Sequence, residues 1–267
     1  SRVGRVRWVN CKICHGRDMT TRHEALEIVT EDEKLAATLA APSTKMPGVL
    51  FLHGWGGSQE RDLTRSRDIA ALGCVCLTFD MRGHAKTSGR HDTVTREHNL
   101  KDALAAYDML AKHPAVDNTA IAVVGSSYGG YLAAILTSLR QVRWLALRVP
   151  ALYKDEEWDV PKRQLDPELL AAYRRGPVAP SENRALRACS NFVGDVLIVE
   201  SEYDHLIPRQ TIVSYRAAFS KVHSLSYRII DGADHALSTE PCQRAYTLLL
   251  ANWTTEMVLG ARRGKSK

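Results

Sequence analysis

Across 267 residues, 45% hydrophobic and 25% charged, the chain has the make-up of an ordinary globular protein and is long enough for one large core. No apolar run approaches the roughly 18 residues that span a bilayer, and no basic-then-apolar segment resembles a signal peptide, so no membrane partner and a cytoplasmic location are expected. The formal net charge of +6 is concentrated at the two ends, in Arg2, Arg5, Arg7, Lys12 and Arg17 and in Arg262, Arg263, Lys265 and Lys267, so the near-neutral body offers no nucleic-acid-binding face.

Residues 1–18 contain Cys11-Lys12-Ile13-Cys14-His15, which has the C-x-x-C-H spacing of a c-type haem attachment and half the spacing of a zinc site. Haem would need an export route and an axial partner. Zinc would need four ligands at fixed spacing, and the candidates are Cys11, Cys14, His15 and the more distant His23. Met19-Thr20-Thr21 reads as a natural start. The expectation is a non-native or disordered extension over 1–18, a single domain over 19–260, a basic tail over 261–267, and no metal or cofactor.

Ala25 to Val29 and Leu35 to Leu39 flank Thr30-Glu31-Asp32-Glu33-Lys34 as a hairpin at a sheet edge. After a loop over 42–47, Val49 to Leu52 is a short apolar strand ending in His53-Gly54-Trp55-Gly56-Gly57-Ser58. The glycines let backbone N–H groups of this loop turn toward a ligand. A helix from about Gln59 to Leu72 leads to a buried strand, Cys74 to Phe79, on which Cys74 and Cys76 share one face. Asp80-Met81-Arg82-Gly83-His84 opens a long polar loop, and Thr95 to Leu110 is helical.

Ala120 to Val124 is a strand of small and β-branched residues. The spacing of Tyr131, Leu132, Ile135, Leu136 and Leu139 then gives a helix face. Between them, Gly125-Ser126-Ser127-Tyr128-Gly129 must reverse the chain sharply at Ser127. The hydroxyl of Ser127 then stands exposed at a helix N-terminus, with the Tyr128 N–H aimed where negative charge develops in acyl transfer. In a purely structural role Ser127 would only cap the helix.

Trp144 to Val149 is the next strand. Pro150 to Asn191 interrupts the alternation as a small helical insert, too long for a plain connection. Val196 to Val199 is a core strand leading to Glu200-Ser201-Glu202-Tyr203-Asp204-His205. A helix runs from Pro208 to about Phe219, a strand from Ser224 to Ile230, and a terminal helix from about Pro241 to Val258. Strands alternating with helices give an α/β fold with a mostly parallel, doubly wound sheet that presents polar residues at the strand ends.

Acyl transfer needs a nucleophile, a base and a carboxylate that holds the base in one tautomer. Ser127, Asp204 and His235 each follow a strand of that sheet, in the chain order expected for such an arrangement, with Glu202 the alternative to Asp204. The Trp55 and Tyr128 N–H groups are the expected oxyanion donors.

The segments LHGWGG at 52–57, FDMRGHAKTSG at 79–89, GSSYGG at 125–130, SEYDHLIP at 201–208 and GADHAL at 232–237 resemble the α/β-hydrolase superfamily, in its serine esterase and serine aminopeptidase-like branch. The resemblance implies an eight-stranded sheet with the second strand antiparallel, Ser127 as nucleophile, and Trp55 and Tyr128 as oxyanion hole. Ala85 replaces the last glycine of the D-x-R-G-H-G-x-S loop, so that loop is expected to take a slightly different path. The expected activity is hydrolysis of short to medium acyl esters. Feruloyl or cinnamoyl ester hydrolysis, peptide or amide hydrolysis, and a non-catalytic binding role are the alternatives. The expected partner is a small-molecule ester. Trp158, Tyr153, Leu169, Leu170 and Tyr173 of the insert are candidates to line its pocket, or else they fasten the insert to the sheet.

Overall fold

The computed structural model describes residues 22–30, 33–41 and 46–264. The Cys11 to Cys14 motif, the whole of residues 1–18 and the last three residues of the basic tail lie outside the described residues.

In chain order the elements are β1 (Arg22–Val29), β2 (Lys34–Ala41), β3 (Met46–Leu52), α1 (Glu60–Ala71), β4 (Val75–Phe79), α2 (Arg96–Lys112), β5 (Val116–Ser126), α3 (Tyr128–Leu136) and β6 (Trp144–Arg148). There follow α4 (Pro167–Arg175) and α5 (Arg184–Asn191) of the insert, then β7 (Asp195–Tyr203), α6 (Arg209–Ala218), β8 (Ser224–Asp234) and α7 (Glu240–Gly264). The eight strands form one sheet in the order β1-β2-β4-β3-β5-β6-β7-β8. β2 runs antiparallel to both its neighbours, and every other pairing is parallel. This is the largely parallel eight-stranded sheet with one antiparallel strand that the sequence led us to expect.

The central strands are apolar at consecutive positions because both faces are covered. In β3, Leu50 and Leu52 join one core and Val49 and Phe51 the other; in β7, Val196 and Ile198 face the first core and Leu197 and Val199 the second. The first core is closed by α2, α3, α5 and α6, the second by α1 and α7. Cys74 and Cys76 are both buried in the second core.

Three strands outrun their apolar stretches. β5 starts at Val116, where Met46↔Val116 and Pro47↔Asp117 extend the ladder across a register shift. β7 and β8 continue through the polar pairs Glu200↔Ile229, Ser201↔Ile230 and Tyr203↔Asp234, with an irregularity between Ser201 and Tyr203. Backbone pairing carries these ends, and polar side chains at the rim hide them from hydrophobic periodicity. As a result Ser127, Asp204 and His235 are each the first residue beyond a strand, following β5, β7 and β8 at the same edge of the sheet.

Candidate active site

Ser127 adopts φ 52° and ψ −114°, outside the regions that residues with a side chain readily occupy. Such a conformation costs on the order of 1–3 kcal/mol and persists only where the surroundings hold it. Here the Ser127 N–H donates to the Arg148 carbonyl at 2.9 Å, and its own carbonyl accepts from Tyr131 at 3.1 Å and Ala151 at 3.0 Å. Two glycines permit the reversal. A Cβ at Gly129 would stand 2.1 Å from the Leu52 carbonyl oxygen, and one at Gly125 would stand 2.5 Å from that of Gly129. The first turn of α3 is therefore pressed against the end of β3.

That contact brings the loop after β3 to the elbow, where an added Cβ on Gly54 would lie 3.5 Å from the Ser127 Cβ. The loop is pinned from below by His53. Its Nε2 accepts the Met81 N–H at 3.1 Å and its Nδ1 lies 2.8 Å from the Gly54 carbonyl, which places the ring proton on Nδ1. Burial lowers the His53 pKa, in keeping with a neutral ring. The Trp55 ring packs edge-on to Tyr128 and His84 and stacks on His91. His84 is buried, which drives its pKa down to about 3 with His53 adding to the effect, and its Nδ1 lies 3.0 Å from the Arg82 carbonyl.

At the far side of the elbow, His235 Nδ1 lies 2.6 Å from Asp204 Oδ2. Asp204 Oδ1 accepts the N–H groups of Leu206 and Ile207, each at 2.8 Å, so the carboxylate is fixed before it meets the imidazole. Its side chain is 3% exposed and that of His235 21%. Glu202 is engaged elsewhere, accepting the Gly232 N–H at 2.7 Å.

Ser127, His235 and Trp55 line one cleft of about 530 Å³, together with His53, Gly54, Asp62, Arg65, Ala85, Ser126 and Arg148 among others. Among the described residues the Ser127 hydroxyl makes no hydrogen bond. A half-buried serine on a strained turn at the cleft, an imidazole oriented by a carboxylate, and backbone donors at a helix N-terminus and a Gly-rich loop are the parts that acyl transfer requires.

The five candidates from the insert stand elsewhere. Tyr153 is buried edge-on to Tyr128 and Tyr131. The Trp158 indole donates to Glu97 at 2.7 Å and lies beneath Arg184. Leu170 packs on the first core, Leu169 is 57% exposed, and Tyr173 faces a second hollow within the insert. None of the five borders the cleft at Ser127.

The profile of the Alpha/beta hydrolase family matches residues 49–246. The chain belongs to the alpha/beta hydrolase family. Over 138 residues it is 30% identical to the protein bem46 of Schizosaccharomyces pombe, a match covering 49% of this chain and less than half, 44%, of that relative. Its fold is similar to a dienelactone hydrolase from Anabaena variabilis (TM-score 0.66, 18% identity, 89% of this chain and 98% of that one). It is similar also to Est1E from Butyrivibrio proteoclasticus with ferulic acid bound (TM-score 0.67, 20% identity, 88% and 98%).

Three basic residues of this hydrolase's site were not singled out from the sequence. Lys162 places its ammonium 4.5 Å from the Trp55 ring centre, 5.1 Å from that of Tyr153 and 5.7 Å from that of Tyr128. Arg65 and Arg148 line the cleft. A charge closing the apolar run of β6 beside the elbow was the one signal available for Arg148; Lys162, next to Arg163, reads as surface. Among the described residues no three His, Cys, Asp or Glu side chains gather as a metal site, and no helix is long and apolar enough to cross a membrane.

Proposed function

We propose that this alpha/beta hydrolase cleaves carboxylic esters of short to medium acyl chain through an acyl-enzyme. The His235 to Asp204 hydrogen bond, in the cleft that also contains the strained Ser127, carries the reading. Asp204 keeps the His235 proton on Nδ1, so Nε2 is free to take the Ser127 proton as the hydroxyl attacks the ester carbonyl. The Trp55 and Tyr128 N–H groups receive the oxyanion. His235 then returns the proton to the leaving alcohol, and water attacks the acyl-enzyme by the same route in reverse. The chain-length preference is supported by the walls of the cleft. They are largely glycine, serine and charged side chains, so a long alkyl tail would leave its apolar contacts after a few carbons and forgo the roughly 0.8 kcal/mol each buried methylene adds.

Turnover of p-nitrophenyl esters tests both parts. Ser127→Ala should lower kcat by about 10³-fold or more with the circular dichroism spectrum unchanged. Near-normal turnover would remove Ser127 from the mechanism. In the unmodified protein kcat/KM should peak between about two and eight acyl carbons, and an optimum near sixteen would refute the short-chain preference. Methyl ferulate belongs in the same series: activity confined to it would make this an aromatic-acid esterase.

A further inference from the structure

Two buried guanidinium groups line the cleft with contacts that its own carboxylates do not complete. Arg65 of α1 and Arg148 at the end of β6 are each only 7% exposed, yet both line the cleft beside Ser126, Ser127 and His235. Their guanidinium groups lie over the Tyr246 ring, 4.9 Å and 5.6 Å from its centre, so two like charges share one small region. Burial lowers the Arg148 pKa and the charge of Arg65 lowers it further.

Arg65 Nη1 meets Asp62 at 3.0 Å, while its Nε is buried without a partner. Arg148 Nη1 donates to the His235 carbonyl at 2.9 Å; its other contacts, to Ser126 Oγ at 3.4 Å and Ser201 Oγ at 3.5 Å, are long. Among the described residues no carboxylate lies within 4.0 Å of the Arg148 guanidinium. Asp204 and Asp62 act on Arg148 from beyond ion-pair distance and oppose part of the effect of burial. Asp204 is engaged by His235, and Glu60 and Arg61 are exposed at the rim, where Arg61 donates to the Ala236 carbonyl. Two buried guanidinium groups thus face the cleft, and among the described residues Asp62 is the one carboxylate in ion-pair contact with either, so that an incoming anion could complete the arrangement.

We propose that Arg65 and Arg148 form a subsite for a carboxylate carried by the substrate itself, so that the preferred ester has an anionic group a few bonds from the scissile carbonyl. A carboxylate suits a guanidinium fork in geometry as well as charge. The inference rests on the ester-hydrolase reading above and deepens it, naming the class of ester.

Matched neutral and anionic esters test it by pH-stat titration. Methyl butyrate and monomethyl succinate place the charge on the acyl side; ethyl acetate and acetoxyacetate place it on the alcohol side. At low salt, one anionic ester should have a kcat/KM at least about 10-fold above its neutral partner, mainly through KM, and added NaCl should erode the advantage. Arg65→Met should cut that ratio by about 10-fold or more, and Arg65→Lys should restore part of it. Neutral esters preferred in both pairs, or a ratio unmoved by R65M, would overturn the subsite. A binding measurement that needs neither turnover nor a change at Arg65 separates this from the hydrolase reading. S127A should bind succinate but not succinamide by calorimetry, and equal binding or none would refute the subsite even if esters are cleaved.

Discussion

Among the residues lining the cleft, two other than glycine hold positive φ. Ser127 at φ 52° is clamped by three backbone hydrogen bonds, and its strain keeps the hydroxyl clear of α3. Ala85, at φ 43°, stands where the loop pattern carries glycine. The loop thus turns left-handed at Ala85 and carries the strain of a Cβ there. A left-handed alanine costs roughly 1–2 kcal/mol, whereas glycine costs about 0.5–1 kcal/mol through the freedom it returns to the unfolded chain. Ala85→Gly should therefore stabilise the protein by about 0.5–1 kcal/mol in urea denaturation. A loss of stability would show that the alanine methyl contributes packing that outweighs its strain. Ser127, Asp204 and His235 could be picked out as candidates because each follows a strand, in the chain order expected of the proposed nucleophile, acid and base. Arg65 could not, since an arginine within an amphipathic helix gives no sign that it is turned inward.

At the scale of elements, the decisive contact is α3 against β3. Gly129 leaves no room for a methyl group, because its neighbours are the backbone oxygens of Leu52 and His53, the latter 2.5 Å from an added Cβ. Neither can rotate away as a side chain could. Gly129→Ala should cost about 3 kcal/mol or more, and it should lower activity beyond the loss of folded protein because the Trp55 loop is pushed from Ser127. Full activity with a stability loss below about 1 kcal/mol would contradict the contact. The sheet and its helices were legible because strands buried on both faces read as continuous apolar runs. The insert was legible as helical pieces but not in its orientation. The α4 side chains Leu169 and Leu170 are adjacent in sequence, yet one is in solvent and the other on the core. Which face turns inward depends on Asn183 holding the Tyr153 carbonyl and the Tyr173 hydroxyl, contacts that no local pattern encodes.

For the molecule as a whole, the buried histidines set a pH response. The His84 pKa falls from 6.5 to about 3 on folding, through burial first, and that of His53 is lowered as well. Above pH 6.5 both states leave the rings neutral and the full stability is present. Below it the unfolded chain takes up protons that the fold refuses. His84 alone then subtracts about 1.4 kcal/mol per pH unit down to about pH 3. Unfolding free energy should thus drop by at least about 1 kcal/mol between pH 7.5 and pH 5.5, and a flat profile over that window would show that both rings accept protons in the fold.

The order of the strands has a consequence for biosynthesis. Ser127 is translated well before His235, and β8, which delivers His235, pairs with β7 at the edge of the sheet. A ribosome adding about 5–20 residues per second completes the elbow seconds before His235 is made. On the proposed mechanism Ser127 stays without its base until β8 docks, so its reactivity would be switched on only when that strand joins the sheet.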